Sequence, residues 1–255
     1  MQKISIFLFI LSSFAITVFG QDNYEIQVYP SETVEKKSTM VELHSNFTFD
    51  GQKQVINGVL PTHHILHETV EITHGFSSFF EIGFYFFNAI GNDNRTSYVG
   101  SHIRPRIAAP KEWNWPVGLS FSVEAGYQKR EYNEDDWTLE LRPIIDKKIG
   151  KLYLSFNGAF DKSFHGINQH IGFVFSPNFK FSYDFSHLIA AGAEYYGSVG
   201  PLNKINPSQN QQHQLFLALD LNWSPDWEFN CGYGFGFTPS TDNGIFKIIL
   251  GYRIH

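Results

Sequence analysis

Cysteine, charge, long apolar runs and clustered positive residues are all scarce in this sequence, and each scarcity excludes something. Cys231 is the only cysteine. It has no partner for an internal disulfide and no CxxC mate for a metal. Its setting of aromatic residues and glycines suits a small apolar lining residue. Charged residues make up 17% of the chain, against about 25% in ordinary water-soluble domains. Much of the apolar surface must therefore face something other than water. No Lys/Arg-rich run occurs, so nucleic acid is not an expected partner. The densest charge run, 129–136, mixes both signs and reads as a solvated loop. Beyond Gln21 no stretch approaches the ~18 apolar residues of a spanning helix. A phosphate loop, a dinucleotide fingerprint and a nucleophile elbow are also lacking.

What the chain has in quantity is aromatic residues: 26 Phe, 12 Tyr and 5 Trp. Mean hydropathy is nevertheless negative, at -0.21. Apolar and polar residues must therefore interleave, as they do in a transmembrane barrel. Residues 1–20 read as a secretory signal. Lys3 supplies the positive start, Ile4 to Phe19 the apolar stretch, and Gly20 a small residue before Gln21. Residues 21–38 are then expected as a short periplasmic N-terminal segment, and 39–255 as one outer-membrane barrel.

From Thr39 onward the dominant period is two. In Leu119 to Tyr127 apolar residues alternate with small or polar ones, and 152–160 and 214–223 repeat the pattern. Such alternation marks a strand with different surroundings on its two faces. The pattern predicts about twelve strands, near 39–49, 65–74, 78–90, 96–108, 117–128, 136–146, 150–161, 169–183, 187–198, 212–223, 227–238 and 244–254. An even number of this length suits an all-β fold, a single closed antiparallel transmembrane barrel. The connections alternate long and short, the 110–116 link excepted, which places both barrel ends on the short-turn, periplasmic side. Phe80, Ile82, Phe84, Phe86, Phe121, Phe179 and Leu250 belong to the phase expected to face lipid. Trp113, Trp115, Trp223 and Trp227 fall at predicted short turns and form an expected interfacial aromatic girdle.

Several phrases, Val41-Glu-Leu-His-Ser-Asn-Phe47, Glu68 to Gly75, His102-Ile-Arg-Pro-Arg106, Leu139 to Asp146 and Phe173 to Phe179, resemble a family of Gram-negative outer-membrane β-barrels to which no activity is assigned. The chain is also similar to transporters of the phenol-degradation MetA-pathway type. The resemblance covers roughly residues 39 to 254 and implies the barrel more than any activity. It implies membrane lipid and lipopolysaccharide, the barrel-assembly machinery and small solutes as partners. Barrels of this kind end on an aromatic residue that helps assembly. Phe246, Ile248, Leu250, Tyr252 and Ile254 alternate as that signal would, with His255 last.

The polar phase is strongly ionic. Glu42, Glu71, Glu81, Glu124, Glu140 and Glu194 are expected to line the lumen with Arg104, Arg106 and Arg142, joined by Asp161, Asp220, Glu228, Lys180, Lys247 and Arg253. Two outcomes are open. One is a narrow pore whose charges select small solutes passing passively, the other a structural barrel plugged by its own ion pairs. A lipid-modifying hydrolase is the further alternative, because His44 and Ser45 could supply a base and a nucleophile. Neighbours on a strand point to opposite faces, however, so these two cannot pair with each other. His63, His64 and His67 cluster near the first external loop with Glu68 close by, but lack a recognisable ligand spacing and read as polar loop residues. No catalytic residue, metal or cofactor is expected.

Overall fold

In the computed structural model, which describes residues 23–91 and 95–255, the period-two segments form one closed antiparallel barrel. The strands are β1 (Thr39–Asp50), β2 (Leu66–Ser77), β3 (Phe80–Ile90), β4 (Thr96–Ala108), β5 (Gly118–Gln128), β6 (Asp135–Ile149), β7 (Leu152–Gly166), β8 (Val174–Asp184), β9 (Ile189–Ser198), β10 (Gly200–Pro201), β11 (Gln212–Leu221), β12 (Trp227–Gly236) and β13 (Asn243–Ile254). Twelve of them make the wall, each hydrogen-bonded to its neighbours. The two-residue β10 continues β9 alongside the first residues of β8. The cylinder closes where β1 meets β13, from Thr39 opposite Ile254 to Asp50 opposite Asn243. Closure leaves no free edge, so every strand's backbone polar groups are satisfied within lipid. The expected signal segment 1–20 lies outside the described residues.

Strand bounds agree with the sequence pattern to within a few residues. The largest differences flank one link: β7 continues to Gly166 and β8 begins only at Val174. That external link is therefore 167–173, and Lys162 stands on β7, its ammonium donating to the carbonyls of Gln169 (2.8 Å) and Ile171 (2.5 Å). The β6–β7 turn is two residues long, with Gly150 at φ 59. That is the positive backbone angle a tight hairpin of right-handed twist requires.

Alternation along β1 shows how sequence divides inside from outside. Met40, Glu42, His44, Asn46 and Thr48 are buried toward the barrel axis, while Val41, Leu43, Ser45 and Phe47 turn outward. Around the circumference the outward set includes Phe84, Phe86, Ile103, Phe121, Ile145, Phe179, Phe181, Leu217 and Leu250, all exposed large apolar side chains. This continuous apolar belt finds its stable surroundings in a hydrocarbon layer. An open apolar groove of ≈ 560 Å³ over Leu154, Phe156, Phe179 and Ala193 belongs to the same outer wall.

One expectation requires correction. Residues 23–36 do not form a periplasmic extension; they run through the inside of the barrel. Tyr24, Ile26, Val28 and Tyr29 are buried there. The segment starts at the long-loop end, where the Asn23 amide donates to Asp242 (2.7 Å) and the Asn23 carbonyl accepts from Asn46 (2.9 Å). It leaves at the short-turn end, where Lys36 bridges to Gly75. Lys37, at φ 69, turns the chain back into β1. The physical reason lies in its composition. Four large apolar or aromatic residues in six cannot rest in water without cost, and the lumen offers the nearest cover.

Candidate functional site

The inward faces of β2 to β6 bring three arginines to one residue of the segment. The guanidinium carbons of Arg104, Arg142 and Arg106 lie 4.5, 5.0 and 5.8 Å from the centre of the Tyr29 ring. Each cation is held by carboxylates. Arg104 donates to Glu71 (2.7 Å) and reaches Glu81 (3.4 Å). Arg106 pairs with Glu81 at 2.7 Å. Arg142 donates to Glu140 at 2.7 Å, with a second ion-pair contact at 2.5 Å, and reaches Glu25 of the segment at 3.5 Å. Arg104 also donates to the Tyr85 hydroxyl. The Tyr29 hydroxyl donates to Glu25 at 2.5 Å. Glu124 receives His102 at 2.6 Å. Arg104 and Glu81 are at most 2% exposed, so these are buried, charge-assisted contacts rather than surface pairs.

On the opposite side the wall is part ionic and part apolar. Lys247 contacts Glu194, donates to the Ile26 carbonyl at 3.1 Å, and lies 5.6 Å from the Phe216 ring centre. Lys180 bridges Glu194 (3.1 Å) and Asp220 (2.8 Å). Ile26 and Val28 pack with Tyr196, Phe216 and Ile245. Tyr24 packs with Tyr85, Phe87, Ala89 and Val99.

The segment's backbone is tied as well. Asn157 accepts from the Tyr29 amide (2.8 Å) and donates to the Tyr29 carbonyl (3.0 Å). Asp146 accepts from both the amide (2.8 Å) and the hydroxyl (2.7 Å) of Ser31. Arg106 donates to the carbonyls of Pro30 (2.9 Å) and Glu32 (2.7 Å), and Glu81 accepts from the Val34 amide (2.5 Å). In the middle of the lumen the wall thus treats the segment as an extended ligand. Open space remains on either side of this waist. An external vestibule of ≈ 1110 Å³ is lined by Asn23, Tyr24, Asp50, Thr62 and Asp242. A periplasmic one of ≈ 1000 Å³ is lined by Pro30, Glu32, Lys180, Asp220 and Glu228.

Of the charged residues expected in the lumen, Glu42, Glu71, Glu81, Arg104, Arg106, Glu124, Glu140, Arg142 and Glu194 stand on inward-facing positions. Most are joined in the arginine cluster. Glu194 belongs to the lysine cluster across the barrel, and Glu42 has no ion pair among those described. The four tryptophans stand at the short-turn end. Trp113 and Trp115 sit 5.1 Å apart, centre to centre, in the β4–β5 link, with Trp223 and Trp227 at the β11–β12 turn. An outward aromatic pair at the other rim, Tyr127 and Trp137 (5.5 Å), was not singled out by the sequence pattern.

His44 is buried on the lumen side. Ser45 faces outward and donates to Glu68 at 2.9 Å. The serine thus has a carboxylate rather than an imidazole for a neighbour, and the hydrolase pair does not form. His63 and His64 stack at 4.0 Å in the external loop 51–65. Desolvation, reinforced by His64, holds the His63 imidazole below its ordinary pKa. His67 sits on β2 and turns inward to the Asn46 carbonyl (3.3 Å), so the three histidines do not gather. The sequence reading missed the segment as part of the site. The available signal was the alternation of Tyr24, Ile26 and Val28 with Glu25 and Gln27, the same period that identified the wall strands.

A closed twelve-stranded barrel with an apolar outer belt and an ionic lumen is an outer-membrane β-barrel, and that is where this protein resides. Comparison with solved structures agrees on the fold. The chain is similar to the KdgM porin in complex with disordered oligogalacturonate, with a TM-score of 0.56 at 9% identity, covering 85% of this chain and 99% of that one. It is similar to the KdgM porin on its own, with a TM-score of 0.54 at 12% identity and the same coverage. No family model and no curated protein matches the chain. These likenesses therefore establish the fold, and not the MetA-pathway type of transporter expected from the sequence.

Proposed function

We propose that the protein is an outer-membrane channel for small solutes, held closed by its own residues 23–36. The observation that carries this is the segment itself. It runs through the lumen from the long-loop end to the short-turn end, held by hydrogen bonds that water could replace and by apolar packing of Tyr24, Ile26 and Val28, with a wide vestibule on either side. An unoccupied wall would present an excess of acids. Glu42, Glu71, Glu81, Glu124, Glu140, Asp161, Glu194, Asp220 and Glu228 outnumber Arg104, Arg106, Arg142, Lys180, Lys247 and Arg253. The opened lumen would accordingly admit cationic and neutral solutes more readily than anions.

Planar-bilayer conductance tests this. Deleting residues 23–36 should convert a mostly closed barrel into a steadily open, cation-preferring one. Should the deletion prevent folding, a tether serves instead. Ser31→Cys with Asp146→Cys, in a Cys231→Ala background, joins groups already in contact. The oxidised form should stay closed and the reduced form should open intermittently. A full-length barrel that conducts equally with the tether locked would overturn the proposal. A deleted, folded barrel that never conducts would favour a purely structural role.

A further inference from the structure

Glu42, His44 and Glu71 form a group in the lumen wall to which the closed-channel proposal gives no role beyond the charge of its two acids. Glu42 and His44 are two apart on β1 and share its inward face. Glu71 stands directly opposite Glu42 on β2. Adjacent strands hold such cross-strand and diagonal neighbours at fixed spacing. One donor atom from each residue lies within 4.8 Å of the other two, and the residues are 6%, 0% and 1% exposed.

The state of the donors is the independent observation. Glu42 Oε1, both ring nitrogens of His44, and Glu71 Oε2 are buried with no hydrogen-bond partner. His44 Nε2 lies 3.5 Å from Glu71 Oε2. The other oxygen of Glu71 is already engaged, accepting from Arg104 and from the Thr73 hydroxyl, each at 2.7 Å. Glu71 is therefore oriented from behind with one free oxygen facing the imidazole. Ligand-orienting contacts of this kind typically surround metal ligands. A buried carboxylate with no cationic partner is costly, and a dication would remove that cost for Glu42.

We propose that Glu42, His44 and Glu71 bind one divalent first-row cation in the wall of the lumen, and that zinc is the ion the donor set fits best. One imidazole and two carboxylates suit Zn²⁺, with a fourth position left for water. Bound donors would stand about 3–3.5 Å apart, so the group must draw in by about an ångström, within the reach of side-chain rotation. The positive charge of Arg104 opposes binding but is shared between Glu71 and Glu81.

The test uses the full chain refolded in detergent with chelator, dialysed against zinc and passed over chelating resin. One zinc per chain should remain, with a nitrogen/oxygen coordination shell by X-ray absorption, and the heat-modifiable transition should move upward. Glu42→Gln and His44→Gln should each lose the ion while still folding by gel shift. His63→Ala with His64→Ala should keep it. Wild-type protein that retains no zinc, that coordinates it through sulfur, or that loses it only in the His63/His64 variant would overturn the site. The first two results need no variant to fold.

Discussion

The two faces of β1 are made from the same twelve residues and obey different rules. Outward, Val41, Leu43 and Phe47 need only be apolar. Each stands opposite an apolar residue of the next strand, Ile72, Val70 and Leu66 in turn, and then meets lipid, which conforms to whatever shape it meets. Inward, Asn46 donates to the Asn23 carbonyl and Glu71, on the strand beside it, holds Arg104, so neither can change without leaving a particular atom unpaired. The outer wall is thus specified by composition and the inner wall by geometry. Substitution should be tolerated by class outside and by individual residue inside.

The largest effect that would test this contrast is on the inner face. Arg104→Met should destabilise the folded barrel by about 3–5 kcal/mol, because Glu71 would keep a buried charge without its cation, while Glu81 would retain only Arg106. Equilibrium urea unfolding in lipid vesicles measures it. Next comes the outer face at mid-strand. Leu43→Arg should cost about 2–4 kcal/mol in the same assay, the range for a cation facing the middle of the bilayer. Leu43→Ile should be near neutral. If Leu43→Ile cost as much as Leu43→Arg, the outer wall would be specified by geometry after all. A smaller loss, about 1–3 kcal/mol, is expected for Asn157→Leu, which strands the amide of Tyr29 and leaves its carbonyl with Ser155 alone. Its signature is faster hydrogen exchange in residues 23–36 with the wall strands unchanged. The smallest effect belongs to the exposed pair of Lys111 and Glu32, 2.9 Å apart. Glu32 raises the Lys111 pKa, so any stabilisation is present below the lysine's unfolded pKa and is lost as pH rises through the folded one. Lys111→Ala should alter stability by less than about 0.5 kcal/mol at pH 7.

The asymmetry between faces also explains what could be read from sequence. Strands and belt were legible because each rests on a local, repeated pattern. Phe80, Ile82, Phe84 and Phe86 declare an outward face without reference to any other strand. The inward residues were legible as a set for the same reason, since they occupy the alternate phase. Their partners were not. Arg104 meets Glu71 and Tyr85 only because β2, β3 and β4 align in one particular register, and Lys247 meets Glu194 across most of the barrel's second half. Segment 23–36 was misplaced because position outweighed composition. It precedes the first wall strand, and its alternation is too short to mark it as a buried element. Chain adjacency sets His44 beside Ser45, while the group it joins is formed with Glu42 and with Glu71 from the next strand.

The route of residues 23–36 sets a condition on assembly. Asn23 lies at the external mouth, while Lys36 and Lys37 turn into β1 at the periplasmic rim. If the cylinder zips along the β1–β13 seam first, whatever precedes Asn23 must pass through the finished bore like thread through a needle. If the strands wrap around the segment, it acts as a mandrel and the bore never stands empty. A small folded domain fused ahead of Asn23 distinguishes the two histories, because it can be carried along by wrapping but cannot be drawn through a closed ring.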